Sequence, residues 1–181
     1  ELTTRHRLFV STTSVYASFD TPGQDEDAPL APPAGIDRMT EMNQYPGAKR
    51  RCEDIYRGAD GQVTVIRPGL IGGAGDDTGR SGYYPWRFAH PTGPDVLVPD
   101  ATFPVSLIDV ADLAAWILHC IEHTVTGTFN AAGQTHTLAD LYRASIEVTG
   151  SAAQPHVIPD DVLLSQGIAP WAGPNSLPLW I

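Results

Sequence analysis

Hydrophobic positions along the chain follow two rhythms. Arg7-Leu-Phe-Val-Ser11 and Val63-Thr-Val-Ile-Arg67 are short apolar runs, the pattern of strands buried in a parallel sheet. Between them, Tyr45, Ala48, Lys49, Cys52, Ile55 and Tyr56 recur at spacings of three and four. That spacing predicts a helix with one inward-facing stripe, entered through Pro46 and ending near Gly58. Strand, helix and strand in this order make a βαβ unit, hence a parallel sheet. Residues 18–37 are acidic and proline-rich and predict an exposed loop without regular structure, its acids solvated.

Further along, Gly69 to Gly75 reads as a flexible loop, and Tyr83-Tyr-Pro-Trp-Arg-Phe-Ala-His90 as a short aromatic helix starting at Pro85. Asp95–Pro99 and Pro104–Ile108 read as strands. Asp109 caps a helix whose expected buried face is Val110, Leu113, Ala114, Ile117, Leu118 and Ile121. Gly127–Ala131 is the next strand, followed by a helix capped at or near Thr137. His156–Pro159 gives a last strand and Asp160–Leu164 a short helix.

Composition narrows the partners. The chain has 181 residues, 42% of them hydrophobic, enough for a packed core. A net charge of −10 disfavours nucleic acid or an anionic membrane as the main partner. No apolar run reaches transmembrane length. Two cysteines, Cys52 and Cys120, both within helical patterns, give no disulfide framework and fit a reduced, cytoplasmic setting. The chain opens on Glu1 and closes on the apolar run Leu177-Pro-Leu-Trp-Ile181, which leads us to expect a fragment or a processed chain.

Four motifs bear on chemistry. The stripe of the first helix carries Lys49 at its centre and Tyr45 one turn before it. An ammonium beside a phenol favours phenolate, so the pair can give and take a proton near neutral pH. Ser11-Thr12-Thr13-Ser14 places hydroxyls at a strand's carboxyl end, where open α/β sheets bind ligands. Gly69-Leu-Ile-Gly72-Gly-Ala-Gly75 matches GxxGxxG but does not open into a helix. Asp76 and Asp77 stand where phosphates would sit, so we reject it as a dinucleotide fingerprint. His119 and His123, four apart, have no third ligand in sight, and no metal site is expected.

Taken in order, four stretches resemble the extended short-chain dehydrogenase/reductase superfamily, of the NAD-dependent epimerase/dehydratase type and its reductase-like branch. They are Ser11-Thr-Thr-Ser-Val-Tyr16, Tyr45-xxx-Lys49 with Glu53, Val65-Ile-Arg-Pro-Gly-Leu-Ile-Gly72, and Leu107-Ile-Asp-Val-Ala-Asp-Leu-Ala114 followed by Gly127-Thr-Phe-Asn130. The resemblance implies an α/β fold. Residues 1–72 would be the second half of a Rossmann-like, doubly wound parallel sheet. Residues 73–181 would be mostly a small substrate-binding α/β subdomain, with the elements around 104–131 returning to the Rossmann core. It implies an NAD(P)-dependent oxidoreductase acting on a hydroxyl or carbonyl group of a small organic substrate.

The resemblance also assigns roles. Tyr45 is the acid/base, Lys49 holds the nicotinamide ribose and lowers the Tyr45 pKa, and Thr12 hydrogen-bonds the reacting oxygen. Ser11 and Pro68, Gly69, Leu70 and Ile71 lie beside the NAD or NADP. Thr13, Tyr83, Tyr84 and Arg87, with Trp86, line the substrate side. Arg80 and Arg87 are the only candidates for gripping a substrate diphosphate, which favours a reductase over a sugar-nucleotide epimerase or dehydratase. A non-catalytic dinucleotide-binding regulator is the other alternative. The family's amino-terminal half, with its Gly-rich loop, has no counterpart here. The cofactor is therefore expected to need that half from a longer protein or a second chain. A homodimer through the Tyr45 helix is expected by analogy.

Overall fold

A computed structural model of the protein describes residues 4–20, 23–170 and 176–177. In chain order the elements are β1 (His6–Val10), α1 (Tyr45–Arg57), β2 (Gln62–Pro68), β3 (Leu70–Gly72), α2 (Tyr83–Ala89), β4 (Asp95–Val98), β5 (Pro104–Asp109) and α3 (Val110–Glu122). They continue with β6 (Gly127–Ala131), β7 (Thr135–Thr137), α4 (Leu138–Thr149), β8 (Gln154–Val157), α5 (Asp160–Ser165), β9 (Ala169–Pro170) and β10 (Ser176–Leu177). The chain divides into two compact units, residues 1–71 with 108–133, and residues 72–107 with 134–181. The apolar tail lies, from Pro178 onward, outside the described residues.

The first unit is built on a parallel sheet of order β1–β2–β6. Its register pairs Val10 with Ile66 and Pro68 with Ala131, so the carboxyl ends of all three strands finish together. α3 covers one face. Its Leu113 and Cys120 pack with Ile66 and Ala131, joined by Leu8, Ile108, Trp116, Ile117 and Val125. Asp109 starts α3 by accepting the Ala111 amide at 2.7 Å, as expected of an N-cap. The buried face of α3 is rotated from the expected one: Val110, Leu118 and Ile121 are exposed. Nearly every position of this helix is apolar, so periodicity could not select the face.

α1 also departs from expectation in what it buries. Tyr56 stacks on Phe9 of β1, with centroids 4.7 Å apart, but Ile55 is 60% exposed. The fully buried residue is Glu53, at 0% exposure. It is met by Arg67 at the end of β2, itself 1% exposed, through Nε to Oε1 at 3.0 Å and Nη2 to Oε2 at 2.8 Å. A guanidinium fork matches a carboxylate in this two-bond geometry. Arg57 adds a third contact at 3.0 Å.

The proline-rich stretch is more ordered than its composition suggests. Ala17 and Ala31 donate backbone hydrogen bonds to Pro29 and Val15, both at 2.8 Å, and Tyr16 bridges Leu30 in antiparallel fashion. Arg51 donates to the carbonyls of Ala34 and Ile36. Glu26 is half-buried, and its carboxylate accepts the Asn130 amide at 2.6 Å, so this acid is not merely solvated.

In the second unit α2 packs on α4 through Tyr84, Phe88 and Tyr142, with Tyr84 and Tyr142 centroids 4.9 Å apart. β4 pairs with β8 in parallel, and β5 with β7 antiparallel. β3, expected as loop, and the short β7 were missed by periodicity because neither is longer than three residues. α2 starts at Tyr83, before Pro85, since proline fits within a first turn. α4 opens on a reciprocal capping box between Thr137 and Asp140 and closes at Gly150, whose φ of 63° suits glycine.

The Glu53–Arg67 pair should dominate the acid stability of the first unit. Burial works against the Glu53 charge. The hydrogen bonds from Arg67, the nearby Ser11 side chain and the charges of Arg67 and Arg57 outweigh it, so its pKa falls below the ordinary 4.5. A depressed carboxyl stabilises the fold fully above that ordinary value, and the contribution is lost as pH falls through the folded value. Glu53→Gln should lose about 3–5 kcal/mol at neutral pH in urea unfolding, because Arg67 is left buried and unpaired. The variant should also flatten the fall in stability below about pH 4.5. Wild-type stability at neutral pH would show the pair to be dispensable.

Candidate active site

The carboxyl ends of β1 and β2 carry most of the residues singled out from sequence. Ser11 directly follows β1; it is buried, and its amide donates to the Ile66 carbonyl at 2.6 Å. Thr12 caps a single turn of 3-10 helix, Thr13–Val15. Its Oγ1 accepts the Ser14 amide at 3.1 Å and donates to Ser14 Oγ at 3.2 Å. A cap of this kind fixes the hydroxyl relative to its own backbone. α1 packs against this turn.

Tyr45 begins α1, immediately after another 3-10 turn, Met42–Gln44. Among the described residues its hydroxyl makes no hydrogen bond, so the oxygen is free to engage a ligand. Lys49 lies one helical turn on and half-buried. Its Nζ donates to the Val10 carbonyl at 2.8 Å and sits 4.4 Å from the Phe9 ring centroid. Burial lowers its pKa, while Cys52 and Glu53 pull the other way. The carbonyl of an edge residue and an aromatic face thus steer an ammonium to the end of the strand. Two of its three N–H donors remain for a ligand.

Pro68, Gly69, Leu70 and Ile71 follow β2 at the same end of the sheet. Pro68 is buried, and the Gly69 amide donates to Ala131 at 3.1 Å, which pins the segment to β6. Ile71 is 43% exposed. Ser11, Thr12, Thr13, Tyr45, Lys49 and residues 68–71 therefore all belong to the first unit, on or beside elements that finish at one sheet end.

Tyr83, Tyr84 and Arg87 belong to α2 of the second unit. Tyr84 is 1% exposed and its phenol pKa is raised by burial and by Tyr142, so its ring is part of that unit's core. Tyr83 and Arg87 are half-buried. The Gly72–Asp77 stretch closes on itself. Asp76 accepts from the amides and hydroxyls of Ser81 and Thr78, and α2 starts only at Tyr83. The rings of His119 and His123 lie 4.4 Å apart, tilted by 49°, and no group of three metal-ligating side chains occurs among the described residues.

Sequence reasoning passed over the polar network behind these residues. Tyr16 donates its hydroxyl proton to Asn130 Oδ1 at 2.6 Å and accepts from Arg67 Nη1 at 3.1 Å. Arg67 also donates to the Glu26 carbonyl at 3.2 Å. A single arginine thus links the Thr12 turn, α1 through Glu53, and the end of β6 through Tyr16. Arg67 inside an otherwise apolar strand was the available signal, since a buried charge demands partners.

Beside α1 lies an open cleft of about 490 Å³ whose walls include Ser14, Phe19, Pro32, Ala34, Gln44 and Gly47 and, among the described residues, no charged one. Gly47 lets the helix and the 32–34 backbone meet. A Cβ there would stand 2.9 Å from the Pro32 carbonyl oxygen and 3.2 Å from Ala34.

No protein-family model matches this chain. It is 27% identical over 146 residues to a ceramide reductase of Caulobacter vibrioides (strain NA1000 / CB15N), a match covering 78% of this chain and 45% of that protein. Among solved structures, it resembles the dTDP-4-dehydrorhamnose reductase of Bacillus anthracis str. Ames in complex with NADP. The TM-score is 0.67 at 16% identity, over 93% of this chain and 54% of that one. The Bordetella bronchiseptica enzyme WbmG in complex with NAD and UDP matches with a TM-score of 0.66 at 18% identity, over 96% of this chain and 49% of that one. The UDP-glucose 4-epimerase of Thermus thermophilus, in complex with NAD, gives 0.61 at 18% identity, over 97% and 62%. The chain thus has the Rossmann-like α/β fold of NAD(P)-dependent epimerases and reductases, and spans about half the length of the proteins it matches.

The close approach at Gly47 is open to a direct check. Gly47→Ala should gain roughly 1 kcal/mol in helix propensity. It should nevertheless lower stability overall, because the added methyl meets backbone and overpacking costs about 1–3 kcal/mol. A thermal melt at or above the wild-type midpoint would contradict the packing described.

Proposed function

We propose that this chain carries the proton-transfer half of an NAD(P)-dependent oxidoreductase acting on a hydroxyl or carbonyl group of a small organic substrate. The observation that carries the reading is the anchoring of Lys49 on the Val10 carbonyl at 2.8 Å, one turn from Tyr45, at the strand end that also bears Thr12. The donor set fits a nicotinamide nucleoside: spare ammonium protons suit a ribose diol, and residues 68–71 offer backbone and apolar surface for a flat ring. When bound, the nicotinamide supplies or accepts the hydride.

The chain's own residues handle the proton. In the reducing direction the substrate carbonyl oxygen lies between the Thr12 hydroxyl and the Tyr45 phenol. Tyr45 gives it a proton as the carbon is reduced, leaving alcohol and phenolate. Lys49, positively charged beside it, stabilises that phenolate. Thr12 contributes a second point of attachment and so fixes the oxygen's direction. In oxidation each movement reverses.

Two features bear on the substrate. The cleft beside α1 is not lined by Thr12, Tyr45 or Lys49 but adjoins them in the chain through Ser14, Gln44 and Pro46. Its lining among the described residues carries no charge, which favours an uncharged substrate portion over a diphosphate. The Caulobacter vibrioides relative is by its name a ceramide reductase, and together with the uncharged cleft this leads us to infer a ketone or alcohol with an apolar portion as the substrate class.

The test is turnover of a panel of ketones and alcohols by the intact protein, followed at the nicotinamide absorbance. Tyr45→Phe should lower kcat by about 10²–10⁴, the usual worth of a general acid/base, while the protein remains folded. Lys49→Ala should also weaken cofactor binding. Undiminished turnover in Tyr45→Phe would rule out the assigned proton donor.

A further inference from the structure

Glu26 holds contacts that solvation does not account for. Its residue spans two partners: the side-chain Oε1 accepts the Asn130 amide at 2.6 Å, and the backbone carbonyl accepts Arg67 Nη1 at 3.2 Å. Two residues earlier, the Gln24 carbonyl accepts Asn130 Nδ2 at 3.3 Å. Among the described residues β6 is an outer strand of the β1–β2–β6 sheet, so the outward amide of Asn130 has no strand to pair with. Glu26 takes the place of one. A backbone amide in a half-buried setting that lost this acceptor would carry the full desolvation penalty.

These contacts form a closed ring. Glu26 holds Asn130, Asn130 accepts the Tyr16 hydroxyl at 2.6 Å, Tyr16 accepts Arg67 at 3.1 Å, and Arg67 returns to Glu26. Tyr16 stands directly after the turn capped by Thr12. Arg67 also grips Glu53, one turn beyond Lys49 on α1. The ring therefore joins the segments that carry Thr12, Lys49 and Pro68, although Glu26 is in hydrogen-bond contact with none of them.

We propose that Glu26 is a positioning residue for the reaction inferred above, and the proposal rests on that reading. By closing the ring it sets where Tyr16 stands, and hence where the Thr12 hydroxyl lies relative to the Tyr45 phenol. Without it, the 3-10 turn can shift along the end of β1 while the bulk of the sheet stays folded. Proton transfer and two-point attachment both depend steeply on such distances, so the loss falls on the chemical step rather than on binding. A role confined to covering the sheet edge would lower stability and leave the rate of the folded protein unchanged.

The experiment compares the intact wild-type protein with Glu26→Ala and Glu26→Gln, on a ketone that the wild type reduces, well below the melting temperature of each. Glu26→Ala should lower kcat by at least about tenfold, with KM and the NADPH dissociation constant within about twofold of wild type. Glu26→Gln, whose amide oxygen can still accept the Asn130 amide, should recover most of the rate. A kcat within about twofold of wild type in Glu26→Ala, or a Glu26→Gln protein as slow as Glu26→Ala, overturns the proposal. Should Glu26→Ala fail to fold, Tyr16→Phe breaks the next link of the ring and keeps the aromatic packing. It must then show the same fall in kcat at unchanged KM, and a wild-type rate would overturn the proposal. A wild type that binds NADPH and turns over no ketone or alcohol refutes the oxidoreductase reading itself and takes the positioning role with it. An active wild type with indifferent variants refutes the positioning role alone.

Discussion

The buried pair of Glu53 and Arg67 is the constraint around which the first unit is arranged. Bringing both charges out of water costs several kcal/mol per ion, recovered only if geometry is good and the remaining donors are satisfied. The surroundings meet those demands. Glu53 receives both arms of the guanidinium and a contact from Arg57, and Arg67 spends its other amine on Tyr16 and the Glu26 carbonyl. The ring of Tyr16 lies 5.0 Å from the guanidinium carbon, a further favourable contact for a desolvated cation. Four separate segments of chain are thereby committed to one place.

This commitment orients α1. Positions 45, 49 and 53 follow one another at helical spacing, so they occupy one face. Holding Glu53 on Arg67 at the end of β2 turns that face towards the sheet, and Lys49 then meets the Val10 carbonyl at the end of β1. Tyr45, a turn earlier, opens the helix, and among the described residues its hydroxyl makes no hydrogen bond. The same rotation leaves Ile55 outward and exposed, the cost in apolar burial of placing charges inward. Gly47 completes the fit by letting the 32–34 backbone lie against the helix.

The second unit is held by different forces. Its centre is aromatic, Tyr84 and Phe88 of α2 against Tyr142 of α4, and tilted ring contacts add to their area burial. Tyr142 keeps a partner for its hydroxyl in the Pro99 carbonyl at 3.3 Å. Such a core depends on ring packing rather than on paired charges, so acid should trouble it less than the first unit.

Local chemistry was legible from the sequence alone. The strands 7–11 and 63–67, the helix of Tyr45 and Lys49 with its proline entry, and the caps Asp109 and Thr137 each depend on neighbours within four residues. Backbone sterics and hydrogen-bond spacing act at that range. Two kinds of question lay beyond it. The apolar sequence of α3 offered more than one face to bury, and only packing on Leu8, Ile66 and Ala131 chose Leu113, Trp116, Ile117 and Cys120. The partners of the buried charges are also remote in sequence: Arg67 lies 14 residues from Glu53 and 51 from Tyr16, and Glu26 lies 104 from Asn130. A charge within an apolar pattern announces that a partner exists, because desolvation forbids it to stand alone. Which partner it takes depends on which strand ends the sheet brings together, and that only the tertiary structure decided.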